Sequence, residues 1–189
     1  MTLAEFVSTG WSDHAADAQG VFDRLPAGVD LVETANDLGP LSALIVHVAG
    51  EHLGRWADGL DLLGRLEELE VFDADTLPGK AVLRSKAILS WCAGDREAAD
   101  RYDALSYAGG DVPPASNRVR ILATAASALA GQQRVKDARG AFDEAVRKAC
   151  FVVGAWGTAP FCAGTRVARR RIADVVERLD TFGLEVHCL

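Results

Sequence analysis

With 189 residues, 49% of them hydrophobic, the chain carries enough apolar surface for one folded core, which excludes disorder as its main state. A formal net charge of -7 argues against a nucleic-acid backbone as the main partner, because binding phosphates needs an excess of Lys and Arg. The four cysteines, Cys92, Cys150, Cys162 and Cys188, form no CxxC pair and are too sparse for a disulfide scaffold.

The first residues, MTLAEFVSTGWSDHAAD, lack the basic and apolar blocks of a secretory signal. No stretch approaches the roughly 18 consecutive apolar residues of a membrane helix. A cytoplasmic protein that does not bind membranes is therefore expected, and its Ala, Gly, Asp and Arg bias fits a GC-rich bacterial genome. Strand-like alternation is confined to a short run at 151–153, and the rest of the chain has helical periodicity.

The first helix is predicted over 12–25, with Ser12 as N-cap and Pro26 as its stop. A short helical turn is expected within 30–36, followed by a helix over 37–53 that tolerates Pro40 near its first turn and is broken by Gly54. The next helix spans 55–70, with Trp56, Leu60, Leu63 and Leu66 on one face. FDADTLPGK is a loop, and helices over 80–92 and 95–107 split at Gly94. AGGDVPPAS is a second loop. Beyond it, Ser116 caps a helix to residue 130, and a partner helix covers 134–150. A loop with Trp156, Gly157 and Pro160 leads to a terminal helix over 162–181. The whole reads as one all-helical domain, 1–189, built from about three to four helical hairpins.

One pattern recurs along these helices: a small residue, a large one four positions later and an apolar one three after that. The copies are Ala18-Phe22-Leu25, Gly59-Leu63-Leu66, Ala98-Tyr102-Leu105 and Ala138-Phe142-Ala145, whose starts are 41, 39 and 40 residues apart. Positions i, i+4 and i+7 share one helical face, where the small residue permits close helix approach and the large one fills the space between hairpins.

The clearest copy runs Leu122, Ala125, Ala126, Leu129, then Val135, Ala138, Phe142, Ala145. It resembles the tetratricopeptide repeat, whose second helix carries Ala, an aromatic and Ala at these offsets. The resemblance is best over 37–150. Its period exceeds the family's of about 34 residues, which implies longer loops. The turn residues Gly54, Arg55 and Trp56 fit the pattern, whereas His47 stands where the family has a small residue. The resemblance implies an α-α superhelix that binds a protein or peptide segment on a concave surface without catalysis or cofactor. Arg84, Lys86, Arg118 and Arg120 fall on the helices that line such a groove, and Arg84 and Arg120 are the groove candidates. The Asn and Lys pattern by which some members clamp a terminal carboxylate is absent. Self-association through helical surfaces is the alternative.

Two further clusters carry chemistry. Arg166, Arg169 and Arg170 share a face of the terminal helix and suit carboxylates or phosphates, although a solvated helix face is the simpler expectation. In HVAGEHLGRW, His47 and Glu51 lie one helical turn apart and His52 follows. This misses both HExxH and HxxEH. On an α-helix His52 points roughly 100° away from Glu51, so a third ligand would have to be His14, His187 or a carboxylate. A packed or capping histidine pair is the simpler expectation. Among the tryptophans, Trp56 and Trp91 are expected in the core, and Trp11 and Trp156 as exposed anchors. No phosphate-binding loop, nucleophile elbow or Ser/His/Asp arrangement is present, so no catalytic residue is assigned and the chain is not expected to be an enzyme.

Overall fold

The computed structural model describes residues 1–107 and 114–155. Among these residues every regular element is helical, and no described helix is long and apolar enough to cross a membrane. The terminal helix expected over 162–181, with Arg166, Arg169 and Arg170, and the loop with Trp156 lie outside the described residues.

The chain divides into two compact units, Met1–Ala108 and Gly109–Leu189. The first contains α1 (Leu3–Asp13), α2 (Ala18–Val29), α3 (Ala35–Ile45), a π-helical segment (Val46–His52), α4 (Trp56–Glu67), α5 (Leu77–Ala93) and α6 (Arg96–Ser106). The second contains α7 (Pro114–Gly131) and α8 (Val135–Ala155).

The expected single helix over 12–25 is two helices. Thr2 starts α1 by a capping box: the Glu5 N–H donates to Thr2 Oγ1 (3.3 Å), and the Thr2 N–H donates to Glu5 Oε2 (2.8 Å). Asp17, rather than Ser12, caps α2 by accepting from the Gly20 N–H at 2.8 Å. Pro26 lies inside α2 instead of ending it. Val21, Phe22, Leu25 and Val29 are buried along this helix, and that packing carries it past the missing N–H.

Helix α3 begins two residues earlier than expected because Asp37 organises its start. Asp37 Oδ2 accepts from the Thr34 N–H (2.8 Å), the Thr34 hydroxyl (2.9 Å) and the Glu33 N–H (3.2 Å). Burial pushes the Asp37 carboxyl up, but these donors outweigh it and hold the group below the ordinary aspartate range. Its stabilisation is therefore present above the unfolded-state pKa and is lost as pH falls through the lower folded value. Asp37→Ala is expected to cost about 1 kcal/mol near neutral pH. The deficit relative to wild type should shrink on acidification, which urea unfolding at neutral and acidic pH would show.

Helix α3 is the centre of the first unit. It packs against α1, α2, α4 and α5, and α5 in turn packs against α4 and α6. Leu25, Leu38, Leu41, Leu44, Ile45, Leu63, Leu66 and Leu89 are fully buried between these helices. Gly59 marks the closest approach: a Cβ there would lie 2.7 Å from Leu89 Cδ1 and 3.0 Å from Ala49 Cβ. The small residue at this position thus seats α4 against the π-helical segment and α5, as the spacing argument requires.

Gly94, with φ of 88°, ends α5 in the left-handed conformation that glycine adopts without steric cost. Asp95 then caps α6 by accepting from the Ala98 N–H at 2.9 Å. The buried residues of α6 are Ala99 and Ser106, while Leu105 is 50% exposed and Tyr102 half-buried. In the second unit, α7 and α8 form a hairpin closed by hydrogen bonds from the Gln133 N–H to Ala130 O and from the Arg134 N–H to Leu129 O, each 2.9 Å. Ala125, Ala126 and Leu129 of α7 and Ala138, Phe142 and Ala145 of α8 are buried.

Candidate metal centre

Three histidines from two separated parts of the first unit meet at one place. His14 stands at the C-terminal end of α1, and His47 and His52 lie on the π-helical segment. One ring nitrogen from each can be chosen so that all three lie within 4.8 Å of one another. The ring centroids form a nearly equilateral triangle, with His14–His47 at 4.6 Å, His14–His52 at 4.9 Å and His47–His52 at 4.7 Å.

The π-helical segment makes this possible. Five residues along an α-helix rotate a side chain by about 500°, which leaves i and i+5 roughly 140° apart. In the wider i→i+5 register that separation is much smaller. The Leu53 N–H donates to Val48 O at 3.1 Å in that register, and the Arg55 N–H reaches Ala49 O at 2.8 Å. Gly54, with φ of 64°, turns the chain away immediately afterwards. His47 and His52 therefore share a face, with their Nε2 atoms 3.2 Å apart. This corrects the α-helical expectation, in which His52 diverges from its neighbours.

The other contacts fix how the rings are turned. At the end of α1 the backbone carbonyls lack helical donors, and His14 Nδ1 lies 2.8 Å from Trp11 O. A carbonyl only accepts, so Nδ1 carries the proton and donates, and the neutral ring offers its Nε2 lone pair. His47 Nδ1 lies 2.8 Å from Glu51 Oε2. A carboxylate also accepts, so here too Nδ1 donates, and in the neutral ring Nε2 is the bare nitrogen. In the metal-free protein the short His47–His52 contact requires one proton between two Nε2 atoms. A metal ion held by both rings would take the place of that proton.

Glu51, expected as a possible ligand, is instead a buried partner of His47 with 6% of its side chain exposed. Ligating imidazoles commonly donate their second N–H to a carboxylate or a backbone carbonyl. Glu51 and Trp11 O occupy these positions for His47 and His14. The indole of Trp11 stacks obliquely on His47 at 4.7 Å, with an interplanar angle of 31°, and meets His14 edge-on at 5.7 Å. As expected of an anchor, Trp11 is 40% exposed; Trp91 is buried, and Trp56 half-buried.

A tetrahedral ion with metal–nitrogen bonds of about 2.05 Å needs nitrogen–nitrogen edges of roughly 3.3 Å. The His47–His52 edge already has this length. The remaining edges would have to shorten on binding, and they involve His52, which is exposed, and His14, which is half-buried. The donor set is uniformly imidazole, which suits zinc, copper, nickel and iron rather than the oxygen-seeking magnesium and calcium.

The groove candidates are placed less informatively. Arg84 lies half-buried on α5, and Arg120 half-buried on α7 of the other unit. Lys86 is buried in an ion pair with Glu67, its ammonium 4.6 Å from the Tyr102 ring centroid. Burial pulls the Lys86 ammonium down, but Glu67 and Tyr102 outweigh this and hold it above the ordinary lysine range. Arg118 faces Glu144 at 3.5 Å. Cys92 is a buried free thiol, as a reduced core cysteine would be.

No model of a known protein family, no curated protein and no solved structure matches this chain.

Proposed function

We propose that this protein binds a single divalent transition-metal ion of the zinc class through His14, His47 and His52. The observation that carries this reading is the convergence of three imidazole nitrogens within 4.8 Å, with two of the rings turned by Nδ1 hydrogen bonds to Trp11 O and Glu51. A histidine that merely caps a helix or fills a gap needs no such convergence. Titration calorimetry tests it: zinc(II) should bind at one equivalent per chain, and magnesium(II) should not bind. His14→Ala and His52→Ala should each lose the one-equivalent transition. A zinc isotherm unchanged in both variants would refute the site.

A second reading, a tetratricopeptide-like module that binds a peptide without catalysis, is supported by the short-turned hairpins α5–α6 and α7–α8 and by the buried Ala138-Phe142-Ala145 face. In that reading arginines such as Arg84 or Arg120, each within its own unit, hold polar groups of a segment, and added salt weakens its binding. Self-association of the helical surfaces is distinguished from it by the dependence of molecular size on concentration.

A further inference from the structure

The three-histidine site, if it holds a metal as proposed above, does not saturate it. Zinc-class ions take at least four ligands, and among the described residues His14, His47 and His52 are grouped with no fourth His, Cys, Asp or Glu. The carboxylate of Glu51 is bonded to His47 Nδ1, on the other side of that ring from Nε2. Through that contact it steadies the ring from behind. The other side of the cluster opens outward, since His52 is exposed and Trp11 partly so.

The charges point the same way. Three neutral imidazoles leave the ion's two positive charges uncompensated, and the Glu51 carboxylate is separated from it by the His47 ring. An open position on such an ion takes water, and it favours a small anionic donor over water. Trp11, 40% exposed, adjoins the cluster with its indole 4.7 Å from the His47 ring. An anion carrying an aryl group can gain contact with the exposed part of that indole, and one carrying only a methyl group gains little.

We propose that the metal held by His14, His47 and His52 keeps an exchangeable position that binds a small carboxylate or other anionic donor from solution, with Trp11 as an apolar wall that favours aromatic carboxylates. This rests on the metal-binding reading, and cobalt(II) separates the two. The full chain loaded with one equivalent of cobalt(II) is titrated with azide, acetate and benzoate while the visible d–d bands are followed. Saturable spectral changes with azide and with both carboxylates are expected, with benzoate binding about three- to tenfold more tightly than acetate. In Trp11→Ala the benzoate-to-acetate ratio should fall to about one.

Cobalt bands that ignore all three anions, or an intense thiolate-to-cobalt band from a cysteine in the fourth position, would overturn the exchangeable position and leave the metal site standing. Equal affinities for benzoate and acetate in the wild type would overturn the role of Trp11. Failure of cobalt(II) to bind at all would overturn both the site and this inference.

Discussion

Glu51→Gln is expected to weaken zinc(II) binding by about 10–100-fold while preserving one ion per chain. The side chain lies on the far edge of the His47 ring, with Oε2 2.8 Å from Nδ1. The carboxylate fixes the tautomer that exposes Nε2, and its charge raises the basicity of that nitrogen. Glutamine is nearly isosteric, and its amide oxygen can still accept from Nδ1, so the ring stays in place while the charge is lost. Binding should fall rather than vanish. His47→Ala removes one of the three proposed ligands and the ring that Glu51 holds, and its loss of affinity should exceed that of the glutamine variant. Competition against a chromophoric chelator measures both, with circular dichroism confirming that each variant remains helical. Wild-type affinity in Glu51→Gln would show that the carboxylate plays no part in metal binding; wild-type affinity in His47→Ala would remove the site altogether.

Leu66→Ala should destabilise the first unit by about 2–5 kcal/mol, whereas Leu105→Ala should stay within about 0.5 kcal/mol of wild type. The two leucines stand at the same place in the recurring sequence pattern, so a model that treats the copies as equivalent predicts similar costs. Their environments differ: Leu66 is fully buried, while Leu105 is 50% exposed. Removing the Leu66 side chain leaves a cavity among fully buried neighbours, which adds to the lost transfer free energy. At Leu105 water already covers half the residue, and little packing is lost. Urea unfolding curves for the two variants check this directly, and equal shifts would mean that burial does not distinguish the two positions.

The reason for the difference at Leu105 is instructive. Helix α6 turns Ala99 and Ser106 inward, a face offset by one position from Ala98 and Leu105. Spacing alone identifies residues that share a face, but not which face its neighbours cover. On α8 the same spacing agreed with burial, because Ala138, Phe142 and Ala145 all lie against α7.

The sequence by itself determined the helical class, the glycine stop at Gly94 and the split between α5 and α6, the hairpin of α7 and α8, and the buried faces of α4 and α8. Each follows from signals within a few residues: a cap, a left-handed glycine, or a periodicity of one helical turn. Tertiary structure decided what local signals do not encode. Packing of α2 carried the helix through Pro26. It also selected the π-helical register over 46–52, which differs from an α-helix by one residue per turn and leaves no mark in the periodicity. That register aligned His47 with His52 and moved Glu51 behind the ring. The third imidazole came from 33 residues away, at the end of a helix whose start is marked by the Thr2–Glu5 capping box. A site assembled across such separations is set by how α1 docks on α3 and the segment that follows it, because that docking, and not any one segment, brings the three nitrogens together.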